Sequence, residues 1–504
     1  MIAQQTQAVG LSVESLGYLN YLRGVLTQPS DSWDGFYQAQ SPSMNFALRY
    51  QLAFATYALA GLAQRTPSYC APYVESMRSA IERMLCVETW GYWRAPQQDD
   101  DKAGAQLSSG HMAVLVSPHR QAPFGPPSDP IARDNLQYSG HLSTMLGLYE
   151  KLSGDSRYDK PFALTDPESG ASYTYTHSQV AERIHRQQRE NNFGGVCCEQ
   201  GMAYVPCNNH ALASNTLHDA LHGTHYSPDN ARWLQTVRDK LVLKGPAVRG
   251  VFGTAYMKDF KMATPVAFNV TDVWGLAFML PFDRPLVRKL YGKFKKRGVH
   301  SAGNDGAYVG SSSVSERMEI SDVSLNTAFG LVLARGMGDL ALADRLGRYA
   351  ASRFDAGWEG NSYYYKGAPR TLHATALYAL ASSIEPGGAD FTRLFNDPPD
   401  NAALAEPHLA EVSSPTGSIG VSQASYDRHA KRLILALRRV GEPSLLRAAV
   451  PVEATLVVRN LPVVEHIAVD SRRLEDGEYS RKDDSLTFEA TVGPFAETEC
   501  VVQI

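Results

Sequence analysis

The segment Gly194–Asn209, GGVCCEQGMAYVPCNN, concentrates the residue types that could do chemistry. Cys198 and Cys207 stand nine positions apart, and Glu199 directly follows the first thiol. Cysteine-based zinc sites use shorter gaps with a second pair nearby, and no such pair follows here. Glycine, Pro206 and two asparagines interrupt both the helical and the strand period, so the segment reads as a loop. Two thiols and a carboxylate on one loop suit acid/base or thiolate chemistry. They equally suit packing, because unpaired cysteine is among the most buried residue types, and Cys197 reads that way. His210, His218, His222 and His225 follow along one helix and its end. The i, i+4 spacing of His218 and His222 suits a metal pair, but the acidic third ligand is missing at the usual spacing. These histidines therefore read as structural and no metal is assigned.

Such groups need a scaffold to bring them together. Apolar residues recur at helical spacing over Phe46–Gln64, Tyr73–Cys86, His141–Leu152, Ser178–Glu190, Asn209–His222 and Ala231–Val242. The pattern continues over Val270–Leu280, Leu286–Lys295, Ser324–Gly336, Asp339–Tyr349 and Leu372–Ser382. Consecutive helical hairpins predict a mainly α fold over residues 1–385, an (α/α)6 barrel or toroid with a central cavity lined by its inner helices. A solenoid would need a fixed repeat period, which the chain lacks. Pro96–Ala132 is long, polar and rich in Pro, Gly and Asp, and reads as a loop, a candidate lid. Residues 386–410 read as a Pro/Asp/Gly-rich linker. Beyond it, short β-type runs over Gly417–Ser425, Arg432–Arg438, Ala454–Val458, Ile467–Val469, Ser485–Thr491 and Glu497–Ile504 predict a small antiparallel, sandwich-like β domain over 411–504. No titratable cluster occurs there, which gives it a scaffolding role.

Composition narrows the function classes. The 504 residues allow more than one domain, and 44% hydrophobic with 20% charged residues is ordinary for a globular chain. A net charge of −4 without a long basic run argues against nucleic-acid or anionic-membrane partners. The start MIAQQTQAVGLSVESL lacks the pattern of a secretory signal, and no window of about 18 apolar residues predicts a membrane span. Six cysteines in so long a chain are no disulfide framework, so free thiols and a cytoplasmic location are expected. No Gly-rich nucleotide loop and no Asp-rich diphosphate cluster is present, so no cofactor is expected. The aromatic load, 25 Tyr, 18 Phe and 6 Trp, suits a pocket for a bulky apolar ligand and equally a large core.

Several motifs carry a resemblance: NLQYSGHLSTMLGLYEKLSG (135–154), VCCEQGMAYVPCNN (196–209), HDALHGTHY (218–226) and AFGLVLARGMGD (328–339), with LGYLNYL (16–22), LRYQLAFATYALA (48–60) and MLCVETWGYW (84–93). In order and spacing they resemble the linalool dehydratase/isomerase family over roughly residues 10–385, leaving the β region outside the family's helical pattern. The resemblance implies a barrel of six helix pairs around an apolar pocket. It also implies cofactor-independent addition or removal of water on a tertiary allylic alcohol, with its isomerisation, and a possible homo-oligomer. The family's pocket histidine falls on His141, its thiols on Cys198 and Cys207, its carboxylate on Glu199 and its early tyrosine on Tyr50.

Three positions depart from the family. Arg23 stands in place of a catalytic aspartate, one tyrosine has no counterpart in TQPSDSWDGFY, and another falls on Val270. Asp31 and Asp34, flanking Trp33, and Asp272 are candidates to replace the lost aspartate. With Tyr204, Trp274 and Arg23 they complete the expected substrate-binding set. Each has a plainer reading: SDSWDG as a solvated turn, Arg23 in an exposed ion pair, Asp272 paired inside the protein, His141 and Glu199 bonding backbone groups. The expected activity is a cofactor-independent lyase or isomerase acting on an allylic alcohol of a terpenoid or similar apolar metabolite. Two alternatives remain: a carbohydrate-active helical-hairpin enzyme, which would need paired carboxylates across a cleft, and a non-catalytic terpenoid-binding barrel.

Overall fold

The computed structural model describes residues 10–37, 48–93, 129–199, 201–244, 250–303, 305–311, 321–415, 419–447 and 449–504. The proposed lid Pro96–Ala132 lies outside the described residues except for its last four.

The first part of the chain is mainly helical. In chain order the principal helices are α1 (Val13–Leu26), α2 (Leu48–Ala63), α3 (Ala71–Leu85), α4 (Leu136–Ser153), α5 (His177–Glu190) and α6 (Val205–His222). They continue as α7 (Asn230–Thr236), α8 (Asn269–Met279), α9 (Arg284–Gly298), α10 (Val323–Met337), α11 (Leu340–Arg353), α12 (Thr371–Ser383) and α13 (Ala389–Asn396). Local chemistry sets many boundaries. Ser12 caps α1, Thr176 and Gln179 form a reciprocal capping box on α5, and Asp322 and Asp339 cap α10 and α11.

Two kinds of helix alternate along the chain. The even-numbered helices α2, α4, α6, α8, α10 and α12 are buried on nearly all sides, whereas α3, α5, α9 and α11 bury one stripe. Each buried helix packs on the next, α2 on α4, α4 on α6, α6 on α8, α8 on α10 and α10 on α12, and α12 packs back on α2. The one-sided helices lie outside them, α3 on α2, α5 on α4, α7 on α6, α9 on α8, α11 on α10 and α1 on α12.

Short antiparallel hairpins punctuate this helical part, which the periodicity had not predicted. Phe162–Thr165 pairs Ser172–Tyr175, Val299–Ala302 pairs Gly306–Val309, and Ala356–Glu359 pairs Ser362–Tyr365. Met202–Ala203, Tyr256–Met257 and Met262–Ala263 form a three-stranded patch. With four residues or fewer, such strands are too short for a two-residue alternation to stand out from loop sequence. The linker reading is also corrected. Within 386–410, α13 buries Phe391, Leu394 and Phe395 in the helical core, an i, i+3, i+4 pattern masked by flanking Gly, Pro and Asp.

Strands dominate from His408 onward. One antiparallel sheet orders His408–Ser413, Val452–Arg459, Ser485–Val492 and Tyr479–Lys482; the other orders Ile419–Asp427, Arg432–Arg439, Glu497–Gln503, His466–Val469 and Arg472–Arg473. Alternating residues from both, among them Leu456, Phe488, Leu435 and Val502, meet in one core. The amides of Leu11 and Ser68 donate to the carbonyls of Ser422 and Ala424 (2.7 and 3.1 Å), tying the β part to α1 and to the α2–α3 connection. No helix among the described residues is long and apolar enough to cross a membrane.

Candidate active site

One phenyl ring shows how the buried helices converge. Phe54 of α2 lies 5.6 Å, centroid to centroid, from His141 of α4 and 6.1 Å from His210 of α6. It lies 5.5 Å from Trp274 and 5.3 Å from Phe278 of α8, 5.3 Å from Phe329 of α10 and 4.9 Å from His373 of α12. At this level the centre is therefore filled by side chains. Tyr50, Phe54 and Tyr57 follow at i, i+4 and i+7 on α2, which puts them on one face. Tyr50 adds edge-to-face contacts with His141 and Trp274, both at 5.4 Å.

Three histidines share this aromatic interior, and burial holds each of them neutral. His210 and His373 are pushed down to about 3 by burial, to which the Arg370 charge adds at His373. His141 is pushed well down by burial and by His210, Arg49 and His373. The Tyr57 hydroxyl lies 2.8 Å from His141 Nδ1 and 3.3 Å from His210 Nδ1. Tyr57 has a single proton to give. Whichever imidazole receives it presents Nε2–H, and one that instead donates to the phenol oxygen presents a bare Nε2. The Nε2 atoms of His141, His210 and His373 make no hydrogen bond with the described residues.

The thiols lie beside this cluster, positioned by the motif loop. Gly194 adopts φ +68°, and a Cβ on Gly195 would sit 2.4 Å from the Trp233 ring, so the loop can pass here only as glycine. Asn208 closes it: its side chain accepts from the Val196 amide (2.8 Å) and donates to the Val196 carbonyl (3.0 Å). Cys198 then enters a tight hairpin, its amide donating to the Met202 carbonyl at 2.9 Å, while Cys207 sits in the first turn of α6. The two free thiols are neighbours, and burial, then the proximity of Cys207, push the Cys198 thiol well up, so it stays protonated near neutrality. Cys197 is buried beside it, its thiol pushed up to about 12 by burial.

Phenols and a buried cation surround the thiols. Burial raises Tyr50, the Arg49 charge opposes this and Cys207 adds to it; the Tyr50 hydroxyl donates to Gln137 Oε1 at 3.2 Å. The Arg49 guanidinium stacks 4.5 Å from the Tyr50 ring and 4.1 Å from the Tyr92 ring. Tyr92, pushed up to about 12 by burial, donates to Asn135 Oδ1 at 2.6 Å and feels both Cys207 and Glu199. Tyr204 donates to Glu199 Oε2 at 3.3 Å. The structure thus gathers His141, Tyr50, Cys198, Cys207, Glu199, Tyr204 and Trp274 around one centre. Sequence reasoning missed Arg49, Phe54, Tyr57, Tyr92 and His373 and set His210 aside. For Arg49, Tyr57, His210 and His373 the only signal was a polar group inside an apolar helical run.

The other expected residues lie elsewhere. Arg23 pairs with Glu75 at 3.8 Å with both side chains well exposed, the plainer reading. Asp31 and Asp34 are exposed, and Trp33 packs on Phe36 at 5.1 Å and under the Arg83 guanidinium at 5.1 Å. Arg83 in turn donates to the carbonyls of Leu26, Gln28, Pro29 and Ser32, so this segment is a loop wrapped around a buried cation. Asp272 does not face the centre either. Its oxygens accept from the amides of Val251 (2.7 Å) and Phe252 (2.8 Å), pinning the loop ahead of α8, and burial raises its carboxyl to about 7 despite those bonds. Val270 packs with Met202, Ala255 and Phe268 against Tyr204 and Trp274, at the edge of the site.

A family model described as "Linalool dehydratase/isomerase" matches residues 49–371. The match holds α2 through the start of α12, and with them the thiols, Glu199, Tyr50 and His141; LGYLNYL and the strands after His408 lie outside it. Membership of that family points to a lyase or isomerase of terpenoid-like substrates. With well over half of its length matched, the chain belongs to the linalool dehydratase/isomerase family.

Proposed function

We propose that this protein is a cofactor-independent dehydratase-type lyase or isomerase acting at an allylic position of an apolar, terpenoid-like alcohol. The observation that carries this reading is the pair of buried, neighbouring thiols beside Tyr50, backed by neutral imidazoles inside an aromatic wall. Removing water from an alkenol needs an acid for the departing hydroxyl and a base for a neighbouring carbon, or a nucleophile that traps the allylic cation. The cluster offers donors in the Cys198 thiol and the phenols of Tyr50 and Tyr204. As acceptors it offers Glu199 and any imidazole with a bare Nε2. Aromatic faces next to these groups exclude water and suit a developing cation. The carbohydrate reading asks for two opposed carboxylates, whereas among the described residues Glu199 is the carboxylate that these thiols and phenols feel.

The scaffold reading that goes with it is an (α/α)6 barrel, supported by six buried helices packed in cyclic order and by Phe54, which touches side chains from the other five. The separate hydrophobic core after His408 supports a C-terminal β unit over about 411–504.

The test is incubation of the protein, with and without EDTA, with a panel of acyclic tertiary and primary allylic alcohols, followed by gas chromatography and mass spectrometry. Loss of water or 1,3-transposition of the hydroxyl is expected for at least one member. Tight binding across the panel with no conversion would favour a non-catalytic barrel, and cleavage of oligosaccharides would favour the carbohydrate enzyme.

A further inference from the structure

A second group of histidines lies at the opposite ends of the helices that carry the site. On α4, Glu150 follows His141 by nine residues, roughly 13 Å along the axis. On α6, His222 follows Cys207 by fifteen residues, roughly 22 Å. His177 opens α5 between them. Glu150 Oε2 lies 3.5 Å from His177 Nδ1 and 3.3 Å from His222 Nε2, and one ligand atom from each of the three residues falls within 4.8 Å of the others.

We propose that Glu150, His177 and His222 form a site for a divalent transition-metal ion of the zinc type, which ties together the ends of α4, α5 and α6. In a tetrahedral zinc site with bonds of about 2.0–2.1 Å, neighbouring ligand atoms stand about 3.3–3.4 Å apart. The edge from Glu150 to His222, 3.3 Å, has that length, and the edge to His177, 3.5 Å, is slightly longer. The donor set, two imidazoles and one carboxylate, is a zinc set that leaves the fourth position to water.

Two further observations point to a ligand. His177 is 1% exposed, yet neither of its ring nitrogens makes a well-directed hydrogen bond with the described residues, and the same holds for His222 Nε2. Orphaned ring nitrogens at this depth are expensive, and a shared cation takes up one nitrogen of each ring and the carboxylate at once. The second observation concerns the outer side of His222. Asp159 Oδ2 lies 3.3 Å from His222 Nδ1, while Asp159 Oδ1 itself accepts from the Ser178 hydroxyl at 2.9 Å. A carboxylate on the far nitrogen holds a metal-binding imidazole in the tautomer whose other nitrogen has its lone pair free. That lone pair then faces the Glu150 carboxylate, an arrangement that needs a cation or an extra proton between them.

His218 is not part of the set. Its Nδ1 lies 2.8 Å from Thr224 Oγ1 and its Nε2 3.1 Å from Ser178 Oγ, so both nitrogens are used. The i, i+4 pair His218/His222 was thus the wrong pair to test for a third ligand; the carboxylate comes from another helix. The side chains of His222 and Glu150 are 18% and 14% exposed, which leaves the ion a path from solvent.

The experiment uses the full chain, freed of any histidine tag and stripped with EDTA, titrated with ZnCl2 by calorimetry and with CoCl2 by visible absorption. One Zn2+ per chain, a rise in Tm on its return, and the strong d–d bands of a four-coordinate Co2+ site are expected. Glu150→Gln and His222→Gln should abolish stoichiometric binding, Asp159→Asn should weaken it roughly 10–100-fold, and His218→Gln should leave it unchanged. Absence of stoichiometric Zn2+ binding by the wild type would overturn the proposal, and the groups would then hold protons instead. So would thiolate-to-cobalt charge-transfer bands, which would move the ion to Cys198 and Cys207. The Co2+ spectrum of the wild type decides the matter even if a variant fails to fold.

Discussion

Two clusters of histidines lie near opposite ends of the packed pair α4 and α6, and their surroundings send them in opposite chemical directions. Near the starts, His141 and His210 with His373 of α12 sit among Phe54, Tyr57, Trp274 and Phe278, and burial keeps the rings neutral. Near the ends, His177 and His222 face Glu150 and Asp159, and the Glu150 carboxylate beside it raises His222 against the pull of burial. Neutral rings beside thiols suit proton exchange with an apolar substrate, whereas rings facing carboxylates suit a cation. On α6 the same residue type, as His210 and His222, serves different ends because the neighbouring shell decides which charge state is affordable.

The largest expected effect breaks the first cluster. His141→Ala should lower turnover of any alcohol converted by the wild type by roughly 10²–10⁴-fold, with the fold preserved by circular dichroism. An unchanged rate would remove the imidazole from the chemistry. Next comes the loop that brings the thiols in. Gly195→Ala puts a Cβ 2.4 Å from the Trp233 ring, and overpacking of that kind costs about 1–3 kcal/mol, to be read as a lowered denaturant midpoint. A midpoint equal to that of the wild type would show that the loop is not held as described.

The difference between the clusters also has a pH signature. The rings of His210 and His373, at about 3, gain protons far less readily than in the unfolded chain. Their contribution is whole above about 6.5 and is lost as pH falls toward 3, at roughly 1.4 kcal/mol per pH unit per ring. Asp272, raised to about 7, works in the opposite sense, its contribution falling as pH rises from about 4 to 7. Denaturant titrations between pH 7 and 5 should therefore show a shallower acid loss in His373→Phe than in the wild type. A steeper loss in the variant would contradict a neutral buried ring. The smallest effect belongs to the periphery: Arg23→Asp, Asp31→Asn and Asp34→Asn should each change stability by no more than about 0.5 kcal/mol and leave turnover unaltered. A large loss of turnover in any of them would bring that loop into the site.

Much of this organisation was legible in the sequence because long apolar runs such as LRYQLAFATYALA repeat a helical period over several turns. The gathering of Cys198, Cys207, Glu199, Tyr50 and His141 was legible through the motifs, whose order and spacing are distinctive together. Other parts were not. A histidine inside an apolar run, like His210 or His373, gives no hint of what faces it, since that is set by helices far off in the chain. Asp272 signalled only that burial is costly; the two amides that satisfy it come from Val251 and Phe252, on a loop whose path no periodicity describes. Glu150 carried no metal signal because its partners stand on other helices, 27 and 72 positions away.

The neighbouring thiols are central to the proposed chemistry, and the most direct measurement is turnover by the Cys198→Ser/Cys207→Ser double variant, with Tm read on the same sample. The thiols are the most distinctive proton-transfer groups at the centre. Turnover should therefore fall by roughly 10²–10⁴-fold with Tm changed little. Full turnover by the double variant would contradict the mechanism.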